Sequence, residues 1–270
     1  MAEVNTTTSD RPGSGAQDAS DHILLSRARV ARVSRVREMI FGTQDGLLTT
    51  LGLLSGVGGA TNDRYTVLVA GAAGAFAGMI AMGAGAYISS KSQQEVHEAE
   101  VDVERAELAR NPERELEELV HLFQDEGLPE ADARLVAEKI AARPSAMLAA
   151  MTRMELGIQM DSGQPVREGA VMAAAFAVGA AVPILPWLLL STSKLTSFAG
   201  LALSPALVVS AAITVTALFV MGAGKARVAR SSALRGGLEV MLIGLAAAVV
   251  GYALGTIFPH LVGARPTTGG

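Results

Sequence analysis

Five glutamates and a methionine near the middle of the chain are spaced for shared chemistry. Glu104 and Glu107 are three apart, and so are Glu115 and Glu118. On one continuous helix, at about 100° per residue, all four fall within a sector of about 80°. Pro112 is expected to break that helix, so each pair would project two carboxylates from one face of its own helix. Further on, Met151 and Glu155 are four apart and share a face. Carboxylate oxygens suit Mg²⁺, Ca²⁺, Mn²⁺ and Fe²⁺, and a thioether tilts the set towards a softer transition metal. A solvated helix face explains any one of these glutamates equally well. Glutamate is a good helix former, and Arg105, Arg110 and Arg114 offer ion pairs. Both readings stay open on spacing alone.

A second group of chemistry-bearing residues lies in apolar surroundings. Asp45 stands in FGTQDGLLTTLGLL. An ionisable group at membrane depth costs roughly 3 kcal/mol on insertion scales and marks a functional position by default. The plainer reading is an interfacial Asp that reaches water. Thr49 is one turn further on the same face. Met82 lies in GAAGAFAGMIAMGAGAYISS, where methionines serve packing as readily as ligation. Gly74 and Gly78 in that stretch form a GxxxG pair, which permits close helix packing. Glu118 and His121 make one Glu-x-x-His unit. Di-iron carboxylate oxidases need two, and the sequence holds no second one.

The elements that must position these residues are membrane helices. Of 270 residues, 50% are hydrophobic and only 18% charged, against about 25% charged in an ordinary soluble domain. A span needs about 20 apolar residues. Five runs qualify, at 39–60, 65–89, 169–190, 205–224 and 237–258. The expected class is an all-α membrane protein of five transmembrane helices, with a helical aqueous domain inserted between the second and third. The expected segments are a disordered basic tail at 1–34, spans one and two within 35–90, the charged helical domain at 91–168, spans three to five within 169–258, and a tail at 259–270. In the charged block, Asn111 and Pro112 are expected to start one helix, Gly127 and Pro129 to close it, and Ser145 to cap another. Pro183 and Pro186 are expected to disturb the third span, since broken helices line aqueous cavities in transporters.

Orientation follows from Lys and Arg beside the spans. Arg27, Arg29, Arg32, Arg35 and Arg37 precede the first. Lys225, Arg227, Arg230 and Arg235 lie between the fourth and fifth. The other side has Arg64, Lys194 and Arg265. The N-terminus and the charged block are therefore expected in the cytoplasm and the C-terminus opposite. The chain has no cysteine, which excludes disulfides, thiolate ligands and Cys nucleophiles. The formal net charge of −4 argues against nucleic acid as a partner. No cleavable signal is legible at the N-terminus, which fits a bacterial inner membrane.

Several stretches, in order, resemble the vacuolar iron transporter family, over about residues 35–258. They are FGTQDGLLTTLGLLSG, MGAGAYISSKSQQE, NPERELEELVHLFQDEGLPEADARLVAEKI, MELGI at 154–158, GAAVPILP and GLEVMLIGLAAAVVGYALG. The resemblance implies a homodimer with five spans that exchanges Fe²⁺, and often Mn²⁺, for protons across the lipid bilayer. It implies no enzyme activity and no prosthetic group; the metal is the transported substrate. It further implies that Glu104, Glu107, Glu115, Glu118, Met151 and Glu155 collect metal, and that Asp45 and Met82 line a path between protomers. Thr152 stands where family members often carry a second methionine, and Ala86 where many carry an acidic residue. The ferritin-like domain of some bacterial relatives is not in this sequence. The competing expectation is a membrane metal-binding sensor or iron-storage partner that transports nothing.

Overall fold

The computed structural model describes residues 14–61, 63–157, 164–190, 196–198 and 201–261. Eight helices and two short strands follow one another among them. They are α1 (Ser14–Ala60), α2 (Arg64–Arg110), α3 (Pro112–Asp125), α4 (Glu130–Ala141), α5 (Pro144–Met154), α6 (Pro165–Leu189), β1 (Thr196–Phe198), β2 (Leu201–Leu203), α7 (Pro205–Val228) and α8 (Ala233–Leu261). The chain divides into two compact units. One joins the residues up to Ile80 with those from Val171 onwards, and the other is Ala81–Ala170. α2 and α6 contribute to both.

In the first unit, α1 packs on α7 and α8, and α7 packs on α8. Glycines set the α1–α8 approach. A Cβ at Gly251 or Gly255 would run into the carbonyl oxygens of Gly52 and Gly56, so these backbones touch with no side chain between them. Leu47, Leu218 and Val240 make one buried cluster, and Leu54, Val67, Trp187, Ala206 and Leu207 another. Arg64 donates from Nε to the Trp187 carbonyl at 2.6 Å and from a terminal nitrogen to that of Leu188. It thereby caps the open C-terminal carbonyls of α6.

Among the described residues, four helices are long and apolar enough to cross a membrane: Arg64–Arg110, Pro165–Leu189, Pro205–Val228 and Ala233–Leu261. Large apolar side chains such as Phe76, Val178, Ile213, Val220, Leu242 and Val249 face outwards along them. Water would penalise such surfaces and lipid does not, as befits a multi-pass membrane protein. The run at 39–60, the first of the five expected spans, is not among the four. Thr43, Gln44, Asp45, Thr49, Thr50 and Ser55 thin its apolar character.

Three further details of the first unit depart from the sequence reading. The helical backbone of α1 already begins at Ser14, inside the stretch expected to be a tail, whereas residues 1–13 lie outside the described residues. α6 runs unbroken through Pro183 and Pro186. There the buried Ser210 hydroxyl of α7 donates to the Pro183 carbonyl at 2.7 Å and ties α7 to α6 beside the prolines, while the carbonyls the two prolines deprive of a helical donor are those of Gly179 and Val182. An antiparallel pair, with Thr196 opposite Leu203 and Phe198 opposite Leu201, precedes α7; no strand was expected there.

The second unit is held by a small core of Leu119, Val120, Ala133, Ala137, Met147 and Met151 from α3, α4 and α5. α2 stops at Arg110, and α3 starts with Pro112 in the first turn, where the missing N–H costs nothing. Gly127 closes α3 at φ +97°, a backbone angle suited to glycine. Ser145 is not the cap of α5. Arg143 holds that position in extended conformation and Pro144 takes the first helical place, for which its fixed φ suits it.

Candidate metal site

The reversal at Asn111 builds the site. Along one straight helix, Glu104 and Glu115 would stand about 16 Å apart. Because the chain turns between α2 and α3, they instead meet each other and Glu155. A carboxylate oxygen from each of the three lies within 4.8 Å of the others. Glu155 arrives from the C-terminal end of α5, where it is the capping residue and its N–H bonds the Met151 carbonyl. This is the one group of three or more His, Cys, Asp or Glu gathered closely enough to hold an ion among the described residues.

Glu104 and Glu115 are each only 2% exposed, while Glu155 keeps an exposed face. Burial pushes the Glu104 carboxyl up to about 7, and the charges of Glu155, Glu115 and Glu107 add to the effect. Burial likewise raises Glu115, with Glu118, Glu107 and Glu155 reinforcing it and Arg114 opposing. Glu155 is raised by burial first and by Glu118 next. A hydrogen bond between Glu104 and Glu155 raises the former and lowers the latter. Glu104 Oε1 and Glu115 Oε2 are nonetheless buried without any hydrogen-bond partner. An unpaired buried carboxyl oxygen costs about 1–3 kcal/mol or more, and a bound cation would remove that cost.

The remaining expected ligands are placed differently. Glu107 is exposed. Glu118 is ion-paired with Arg114 at 3.0 Å, and His121 pairs with Gln124 at 3.1 Å. The structure therefore brings one glutamate of each pair into the cluster and leaves the other at its edge. Met151 is fully buried in the hydrophobic core beside Met147. Periodicity gave no sign that Thr152, one residue on, is fully buried with an unpartnered hydroxyl.

Asp45 and Met82 fall in separate units, and each is half-buried. Thr49 donates its hydroxyl to Asp45 Oδ1 at 3.4 Å, as their spacing on α1 anticipates. Beyond Thr49, a groove of about 530 Å³ between α1 and α8 is lined by Leu48, Gly52, Gly56, Gly251 and other apolar residues. Its walls offer a hydrated cation almost nothing.

Comparison with known proteins bears on this arrangement. The profile of the VIT family matches residues 36–256. Vacuolar iron transporter 1 of Arabidopsis thaliana is 30% identical over 226 residues, covering 83% of this chain and 86% of that protein. Vacuolar iron transporter 1 of Oryza sativa subsp. japonica is 29% identical over 220 residues, covering 81% and 83%. That of Tulipa gesneriana is 30% identical over 220 residues, covering 81% and 85%.

Proposed function

The chain belongs to the VIT family, and from that premise we propose that it is a transporter moving divalent iron out of the cytoplasm. The observation that carries the reading is the meeting of Glu104, Glu115 and Glu155 within 4.8 Å, two of them buried with an oxygen unpaired. The reading is a transporter and not an enzyme, with Fe²⁺ as cargo and Mn²⁺ carried by the same oxygen chemistry.

In this proposal the segment 91–168 lies in the cytoplasm and gathers the ion. Glu107, Glu118 and Met151 assist the three central carboxylates. The run at 39–60 is a fifth span, the N-terminus is cytoplasmic, and the C-terminus is opposite. Two copies form a homodimer, and the ion passes Asp45 and Met82 between them. Asp45 releases its metal as it takes up a proton, so the proton gradient drives export.

The experiment is Fe²⁺ flux with internal pH recorded in the same proteoliposomes, for the wild type and Asp45→Asn at equal reconstitution. Asn keeps the size of Asp but carries neither charge nor an exchangeable acidic proton. Flux and the accompanying pH change should both fall to background in the variant. No flux in the wild type under any gradient would leave a metal-binding membrane protein and sink transport. Near-normal coupled flux in the variant would remove Asp45 from the path.

A further inference from the structure

Thr152 lies in the last turn of α5, 0% exposed, and its hydroxyl has no partner. A threonine in a helix ordinarily returns its O–H to the carbonyl one turn earlier; here even that bond is missing. Among the described residues of Ala81–Ala170, the buried side-chain oxygens left unpaired are Glu104 Oε1, Glu115 Oε2 and Thr152 Oγ1. Two of them belong to the carboxylates that meet Glu155. The third stands three residues before Glu155, one turn away on the same face. Burying a hydroxyl unpaired is costly, and an unsatisfied group in a close-packed site calls for a partner that arrives from outside. The neighbouring Met151 is packed in the hydrophobic core.

We propose that the Thr152 hydroxyl is a further oxygen donor to the ion held by Glu104, Glu115 and Glu155, directly or through a water on that ion, and that it biases the site towards hard ions. The proposal rests on the reading of the three carboxylates as a metal site. Mn²⁺ prefers an octahedral oxygen shell, and a fourth protein oxygen adds to it. Zn²⁺ is satisfied by four ligands and loses little when one neutral oxygen is replaced by water.

The test titrates Mn²⁺ and Zn²⁺ separately into the full-length protein, as wild type, Thr152→Val, Thr152→Ser and the double variant Glu104→Gln/Glu115→Gln. Valine keeps the shape and deletes the hydroxyl, so the metal-free melting temperature should equal or exceed that of the wild type. Thr152→Val should weaken Mn²⁺ binding about 10–100-fold, the range for lost outer-shell partners, and Zn²⁺ binding by no more than about threefold. Thr152→Ser should restore Mn²⁺ affinity. Unchanged Mn²⁺ binding in Thr152→Val overturns the proposal, and so does an equal loss for both ions or a failure of serine to rescue. Failure of the underlying carboxylate reading appears separately, as absent binding in the wild type or as undiminished binding in the double variant.

Discussion

Acidification should empty the carboxylate cluster along a curve set largely by Glu104. Its carboxyl is held up at about 7, by burial first and by the neighbouring glutamates next. Such a group is ionised in about 9% of molecules at pH 6, about half at pH 7 and about 91% at pH 8. A metal ligand must be deprotonated, so binding displaces whatever proton remains. The apparent Kd should therefore fall about tenfold from pH 6 to pH 8, equivalent to about 1.4 kcal/mol. Glu115 and Glu155 are raised as well, and their protons steepen the curve further towards acid. The assay is calorimetry of Mn²⁺ binding to the full chain in lipid nanodiscs, repeated in two buffers of different ionisation enthalpy so that released protons are counted. Glu104 should contribute about 0.9 proton per ion at pH 6, about 0.5 at pH 7 and about 0.1 at pH 8. Glu104→Gln should bind more weakly at pH 8 and lose most of the dependence above pH 6. A wild-type Kd that moves less than about twofold between pH 6 and 8, with no proton release, would refute the reasoning.

Metal-free stability should run in the opposite direction to metal affinity. Glu104 is raised from an ordinary 4.5 to about 7, so its contribution is complete below about pH 4.5 and lost as pH rises through 7, up to about 3 kcal/mol. Thermal melts in chelator should fall from pH 5 to pH 8, and Glu104→Gln should flatten that fall; an equal slope in the variant would place the titration elsewhere. Gly251→Val should disrupt the α1–α8 contact, because its Cβ meets the Gly52 backbone rather than a movable side chain. Overpacking of this kind costs about 1–3 kcal/mol, and an unchanged melting temperature in detergent would mean the helices are not so close. Ser210→Ala removes the bond to the Pro183 carbonyl and should cost about 0.6–1 kcal/mol; a cost near zero would show that this bond adds nothing to the α6–α7 contact.

Punctuation was the legible part of the fold. Asn111-Pro112 and Gly127 mark their boundaries because proline and glycine fix or free the backbone locally, and α3 ends at Asp125, two residues before Gly127. What depended on neighbours was not legible. The two prolines of α6 look like breaks on local grounds, yet the helix runs through both, with Trp187 in one buried cluster with Leu54 and Val67. The helical backbone at 14–34 is masked by a polar composition, and the strands at 196–203 by their shortness. The site divides along the same line. Spacing showed that Glu104 shares a face with Glu107 and Glu115 with Glu118, since that is helix geometry. Which member of each pair turns inwards was set by the reversal at Asn111, a tertiary fact that periodicity does not encode. The burial of Thr152 likewise depends on how α5 packs against α3 and α4.

Burial gives the cluster opposing properties, and their balance bears on what kind of site it is. Desolvation raises the proton affinity of Glu104, Glu115 and Glu155 together, so each carboxylate holds its proton more tightly than in water and an ion must compete for the place. Three ionised carboxylates around a divalent ion leave a net charge of −1, and the metal-free cluster with one proton on Glu104 carries −2. Exchange of one proton for the ion changes the charge of the cluster by one unit, and the Glu104 proton competes with the ion near neutral pH. A storage or structural site does the reverse, closing its ligand shell and keeping water out. Here Glu155 stays exposed, Glu107 lies at the surface, and Glu118 is only partly covered and tied to Arg114. The ion thus has an acidic edge by which to enter and leave. A proton-competitive site with an open side suits brief occupancy, which a carrier that must hand its ion onward requires and a permanent store does not.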